Sequence, residues 1–328
     1  MRIALDAMGT DRHPAVEVEG AVGALRESEA GLEVVLVGDS RRIRREMARL
    51  GVSESDQLSI IHATERIEPG EGPATAVRRK PDSSIVVGLN LQKSGEVDAF
   101  VSAGSTGAVM AASLFILRPL PGVDRPAVAT LLPTATGPMV MLDAGANVDC
   151  KPSHLVQFAR LGAVYAHDVL GREPPRVGLL NIGEEPEKGN ELAVETHRLL
   201  RETGLNFVGN VEGREIIRGA CDVLVTDGFV GNVLLKFYES VAGFVFGLLR
   251  RELAEDVTEA KIGHVTRILD YAEYGGAPLL GVNGISIICH GGSPPRAITN
   301  ALKAAVTASN AHMIGHIREE VGLHPERT

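Results

Sequence analysis

A chain of 328 residues, 44% of them hydrophobic, has enough apolar mass for a large core. Its net charge of -9 excludes a wholly basic nucleic-acid-binding face. Its three cysteines, Cys150, Cys221 and Cys289, form no C-x-x-C pair, so free thiols are expected. Aromatic residues make up only 4% and Trp is absent, which suits Val/Leu/Ile-rich parallel strands better than an aromatic sandwich.

The chain opens on a strand at Ile3–Leu5 rather than on a signal peptide. Residues 14–30 read as a helix, Glu33–Val37 as a strand, Ser40–Leu50 as a helix and Leu58–Ala63 as a strand. Helices at Ser83–Ser94 and Thr106–Leu117 bracket a strand at Ala99–Val101. Two apolar runs, Val128–Leu132 and Met139–Leu142, flank a turn-rich hexapeptide and predict an antiparallel hairpin. A helix at 153–170, a strand at 176–181, a helix at 189–203 and strands at 205–208 and 221–226 follow. A long helical region from Val230 to Asp270, a strand at Ile285–Cys289 and a helix at 294–320 close the chain. No stretch reaches the length of a transmembrane span. One continuous unit over 1–328, with a helical excursion at about 230–270, is the expected organisation.

Five apolar runs end in loops of Gly with Asp, Asn, Ser or Thr: at Asp6–Thr10, Ser102–Gly107, Asp143–Asn147, Asn181–Glu185 and Thr226–Gly228. Glycine, at 37 residues, exceeds the usual share of about 7% and concentrates in these turns. Buried strands that feed helices through such loops predict a largely parallel α/β sheet with one antiparallel hairpin. Ligands bind outside the carboxyl ends of such strands, so the five loops should converge on one cleft.

Each motif has two readings. In Asn181–Asn190, Glu184 and Lys188 flank a helix N-terminus suited to an anion, or the segment is a solvated turn capped by Asn190. In Asp143–Pro152, Lys151 could hold an oxyanion with Asn147 as neutral donor; Cys150 reads as a structural thiol, lacking a Cys-His signature. In Thr226–Lys236, Asp227 is a base or a helix cap, and Asn232 opens the helix. In His290–Arg296, Ser293 is a good N-cap, while Gly291, Gly292 and Arg296 could make a phosphate pocket beside His290. Ser102–Ala108 offers hydroxyls and backbone donors but is not G-x-S-x-G, and no Walker motif occurs. No clustered aspartates suggest a metal site.

These blocks, with Arg78–Ser84, Gly209–Arg214 and Glu273–Gly281, closely resemble the bacterial phosphate acyltransferase family of phospholipid synthesis, in the same order. The resemblance runs from Asp6-Ala7-Met8-Gly9 almost to the last helix. Thr10 departs from it where the family usually has a second Gly, and Ser105 where it usually has Asn. It implies a three-layer α/β/α fold with a mostly parallel mixed sheet, like the isocitrate/isopropylmalate dehydrogenase and phosphotransacetylase group, with a projecting helical pair. It also implies that inorganic phosphate attacks the acyl thioester of acyl carrier protein, with no metal or nicotinamide. The implied homodimer sits peripherally on the inner face of the cell membrane and supplies a membrane acyltransferase that consumes acyl phosphate.

On that reading Lys188, Asp227, Asn232 and His290 are the candidate catalytic groups. Asp6, Gly9, Ser102, Gly104, Ser105, Thr106, Asn147, Lys151, Asn181, Glu184, Asn190 and Arg296 are the candidate substrate contacts. Arg78, Arg79 and Lys80, or Arg41, Arg42, Arg44 and Arg45, would dock the acidic carrier. Residues Val241–Arg251 read as a dimer or core helix, and the family adds lipid contact near 250–262. The alternatives are a short-chain phosphotransacetylase acting on acetyl-CoA, a decarboxylating dehydrogenase, or a non-catalytic membrane scaffold.

Overall fold

The structure, a computed structural model, describes residues 1–28, 31–252 and 275–323. In chain order the elements are β1 (Arg2–Asp6), α1 (Ala15–Glu27), β2 (Glu33–Gly38), α2 (Ser40–Arg49), β3 (Leu58–His62), α3 (Pro73–Arg79), α4 (Ser84–Ser94), β4 (Ala99–Ser102) and α5 (Thr106–Ile116). Next come β5 (Ala127–Val128), β6 (Thr130–Thr134), β7 (Gly137–Leu142), α6 (Pro152–Asp168), β8 (Val177–Asn181), α7 (Glu191–Arg201), β9 (Phe207–Glu212), α8 (Gly213–Ile216), β10 (Val223–Val225) and α9 (Gly228–Glu252). Then follow β11 (Ala277–Leu280), β12 (Ile285–Ile288), α10 (Pro295–Asn310) and α11 (Met313–Leu323).

The chain divides into two compact units, Met1–Pro126 with Tyr274–Thr328, and Ala127–Glu273 between them. The strands described form two sheets rather than the one foreseen. Periodicity identifies a strand but not its partner, so that partition is not written in the sequence pattern.

In the first unit the order β3-β2-β1-β4-β12-β11 is parallel except for β11. Ile3 lies beside Val34 on one side and Ala99 on the other, and all three are fully buried. Branched residues buried on both faces are the signature of a parallel sheet covered by helices. Asp39 caps α2 by accepting the N–H groups of Arg41 and Arg42. The expected helix at 294–320 is two helices, because His312 between them adopts φ 53°. Strand β11 and helix α3 were not expected. The first is a short run beginning Ala-Pro, the second a single seven-residue helix begun by Pro73.

In the second unit the order β6-β7-β10-β8-β9 is parallel except for the β6–β7 hairpin. The hairpin is antiparallel as expected, but Pro133 and Pro138 face one another inside it, so the turn is tighter than the six residues foreseen. Strand β9 begins two residues later than expected and extends to Glu212. Helix α9 carries the first part of the expected helical excursion; its continuation past 252 lies outside the described residues. Among the described residues no helix is long and apolar enough to cross a membrane.

Candidate functional site

In parallel strands every carboxyl end lies on the same sheet edge, so adjacent strands bring their outgoing loops together. In the first unit β1, β4 and β12 are neighbours, and the loops leaving them carry Asp6–Thr10, Ala103–Ser105 and Cys289–Pro294. In the second unit β7, β10 and β8 are neighbours, and their loops carry Asp143–Lys151, Thr226–Asp227 and Ile182–Asn190.

The first unit's loops are stitched by buried polar groups. Asp6 is 1% exposed; its Oδ2 accepts the Ser102 hydroxyl at 2.6 Å and its Oδ1 accepts the Met8 N–H at 3.0 Å. Ser102 Oγ in turn accepts the Gly104 N–H at 3.0 Å. Asp6 and Ser102 therefore shape the loops from within, while the exposed Thr106 and half-buried Ser105 begin α5. Gly9 allows the two loops to touch, because a Cβ there would lie 2.6 Å from the Gly104 nitrogen. The Asp11 N–H donates to the Gly291 carbonyl at 2.9 Å, tying in the third loop. His290 is exposed and its Nδ1 accepts the Gly292 N–H at 3.1 Å.

Arg296 departs from expectation. Its guanidinium lies 3.7 Å from Glu27 in the last turn of α1, where Lys303 also binds the same carboxylate. The helix N-cap is Pro294 rather than Ser293. Glu17, which sequence inspection missed, is fully buried beneath the first loop and accepts the Thr10 N–H at 2.6 Å. Burial pushes its carboxyl up to about 7, against the pull of that hydrogen bond.

The second unit's loops are organised by Asp143, itself 0% exposed. Its Oδ1 accepts the N–H groups of Val128, Gly145 and Ala146 at 3.1, 3.2 and 3.1 Å. Its Oδ2 accepts the Asn147 N–H at 2.6 Å and the Asn147 side-chain amide at 2.9 Å. Burial raises its pKa, and those hydrogen bonds pull the other way. A Cβ at Gly228 would meet the Asn147 carbonyl oxygen at 2.7 Å, so the loops after β7 and β10 pack backbone to backbone. Asn147 thus points its amide inward to Asp143, and Asn232 sits beside Gly145, exposed. Asp227 caps α9, its Oδ1 accepting the N–H groups of Phe229 and Val230 at 2.9 and 3.0 Å. Asn190 likewise caps α7 through the Ala193 N–H.

Asn181 is a brace for its own loop. Its Nδ2 donates to the Lys188 carbonyl at 2.9 Å and its Oδ1 accepts the Ile182 N–H at 2.8 Å. Glu184 pairs at 3.5 Å with Arg214. By contrast, the ammonium groups of Lys151 and Lys188 make no hydrogen bond or ion pair among the described residues, and both side chains are exposed. Lys151 is the N-cap of α6 and Lys188 stands two residues before the N-cap of α7. Both cations thus stand beside helix N-termini at the carboxyl edge of one sheet, where the backbone N–H groups favour negative charge.

Burial pushes Cys221 and Cys289 up to about 12, and half-buried Cys150 turns its thiol to the Asn147 carbonyl. No group of three or more His, Cys, Asp or Glu among the described residues could hold a metal ion.

A family profile described as "Fatty acid synthesis protein" matches residues 1–315. A protein named phosphate acyltransferase from Desulforamulus reducens is 51% identical over 98% of this chain and 97% of its own. One of the same name from Geobacter sulfurreducens is 51% identical over 93% and 90% respectively. The chain belongs to the phosphate acyltransferase family. It is an acyltransferase. Among solved structures, the EutD phosphotransacetylase from Staphylococcus aureus is similar at TM-score 0.61 and 17% identity, over 95% of this chain and 94% of that one. A branched-chain phosphotransacylase from Enterococcus faecalis follows at TM-score 0.60 and 14% identity, over 94% and 98%. At those identities the likeness shows the fold, which is the α/β class expected from the sequence.

Proposed function

We propose that this acyltransferase moves a long-chain fatty acyl group from the thioester of acyl carrier protein to inorganic phosphate, giving acyl phosphate for membrane phospholipid synthesis. The observation that supports it best is the pair Lys151 and Lys188, exposed and uncommitted among the described residues on one sheet edge. Phosphate is substantially dianionic near neutral pH and needs no covalent relay through the protein. One phosphate oxygen attacks the thioester carbon, the tetrahedral oxyanion collapses, the C–S bond breaks, and the carrier thiolate leaves and takes a proton. The protein's task is to desolvate and orient phosphate and to present donors to the oxyanion.

In this reading Lys151 and Lys188 hold phosphate, Asn232 is a neutral donor, and the open oxygen of Asp227 orients the phosphate proton. Asn147, Asn181 and Asn190 act by fixing loop shape. In the first unit Gly9, Ser105 and Thr106 are the proposed substrate contacts, and His290 is a proposed catalytic group. Arg78 and Arg79 are the proposed carrier dock; Arg78 stacks 5.1 Å over exposed Phe115, a flat cationic platform for an acidic helix. Lys80 is already held by Glu71 and the Arg66 carbonyl, which takes it off that surface.

Release of free carrier thiol from palmitoyl-carrier, with and without phosphate, tests the reaction. Phosphate-dependent release is expected, together with a raised carrier KM for Arg78→Glu that grows at low salt. Release from acetyl-CoA but not from palmitoyl-carrier would instead establish the short-chain reading that the phosphotransacetylase fold keeps open.

Helix α9 presents Phe229, Val230, Val233, Phe237, Val241 and Phe244 at helical spacing, each at least 41% exposed. We assign this stripe to the homodimer contact, and peripheral lipid contact to the segment beyond it, which would place the product near the membrane acyltransferase that consumes it. Phe237→Glu should convert the dimer to monomer in sedimentation while liposome flotation persists; an unchanged dimer refutes the assignment.

A further inference from the structure

The block Gly209–Arg214 has no part in the mechanism above, yet its Asn210 is a polar residue only 7% exposed. Its Nδ2 donates at 2.8 Å to the Glu185 carbonyl, and that same carbonyl accepts the Lys188 N–H at 3.1 Å. On its other side, Asn210 Oδ1 lies 3.0 Å from Nδ1 of His197, which is 6% exposed. A carbonyl can only accept, so the group facing Glu185 must be the amide nitrogen. The oxygen then faces His197, whose Nδ1 must carry a proton. The imidazole is itself braced edge-on by Phe207, with ring centroids 5.1 Å apart.

Helix α7, strand β9 and the loop after β8 are thereby joined by one chain of hydrogen bonds. It ends at the backbone N–H of Lys188, while Asn181 holds the Lys188 carbonyl from the opposite side. With no partner for the Lys188 ammonium among the described residues, the backbone is what sets the point from which its side chain reaches out. We propose that Asn210, oriented by His197, is a positioning residue that fixes Lys188 for its anion. The functional part of this rests on Lys188 contacting phosphate; the clamp itself does not.

The test uses the full-length protein and two variants. Asn210→Ala removes both hydrogen bonds. Asn210→Asp is close in shape and keeps an acceptor for His197, but it turns a carboxylate oxygen against the Glu185 carbonyl and so reports on that bond where the Ala variant fails to fold. Both should speed hydrogen exchange in the peptide spanning 182–190 by about tenfold and raise the phosphate KM by about tenfold with a smaller change in kcat. Neither should add to the KM of Lys188→Ala, which a general loss of stability would not reproduce. Unchanged exchange and unchanged KM in the folded variants overturn the inference. Faster exchange with a phosphate KM that neither these variants nor Lys188→Ala shifts leaves the clamp standing and overturns the phosphate role of Lys188 instead.

Discussion

Lys188→Ala should lower kcat/KM for phosphate by about 10²-fold, the scale for deleting one preorganised donor to a developing anion. The argument rests on where cations are already committed. Lys80, Lys236, Lys303 and Arg296 each have a carboxylate partner, whereas Lys188 and Lys151 have none among the described residues. An ammonium that pairs with no carboxylate has no ion pair to break when an anion arrives. Lys188→Arg should recover only part of the loss, because a planar fork on a different stem cannot reproduce a compact point charge. Lys151→Ala should act in the same direction. Steady-state kinetics with varied phosphate read the outcome, and wild-type saturation curves for both Ala variants would remove the two lysines from the site.

The second large effect is expected at Asp143. Its carboxylate accepts five hydrogen bonds, four from the loop that follows it and one from the Val128 N–H of β5. Asp143→Ala would strand those donors in the interior, at a cost of about 3 kcal/mol or more. Asp143→Asn keeps the volume but turns an NH2 group toward donors, so it should destabilise too, to a lesser extent. Both variants should unfold at lower denaturant concentration and lose phosphate-dependent turnover, since Asn147 and the entry to α6 are set by the same loop. A midpoint within error of wild type for Asp143→Ala would show that this network does not hold the loop.

What was legible in the sequence was the rhythm. Val/Ile/Leu runs ending in Gly-rich loops gave nearly every strand of both sheets, because burial on both faces leaves a continuous apolar signature. The hairpin was legible from its turn residues, although Pro133 and Pro138 concealed how far its strands extend. The division into two sheets was hidden, since it depends on pairings such as Ile285 with Ala99 across a long insertion.

At the site, the loops were found and the direction of their side chains was not. Asp6, Ser102 and Asn147 are polar residues of the kind that bind ligands, yet Asp6 and Ser102 bond one another and the Gly104 N–H, and Asn147 bonds the Asp143 carboxylate. Arg296 follows His290 by six residues but is drawn to Glu27 on α1. The clamp formed by His197 and Asn210 joins residues on different elements, and no periodicity marks such a pair. The only trace was that Asn210 belongs to a block shared with the family, whose purpose the sequence could not express.

The inserted second unit has a consequence for how the protein is made. Strand β12 occupies the edge of β4, and the chain between them includes the whole of Ala127–Glu273. During synthesis the ribosome must deliver residues 285–288 before β4 gains its neighbour, while the intervening unit has every strand of its own sheet in hand much earlier. Until then Ala99–Ser102 offers a bare ladder of amide and carbonyl groups on one edge, the kind of template on which nascent chains stick to one another. Chaperone dependence in this enzyme would therefore be concentrated in one short window, late in translation.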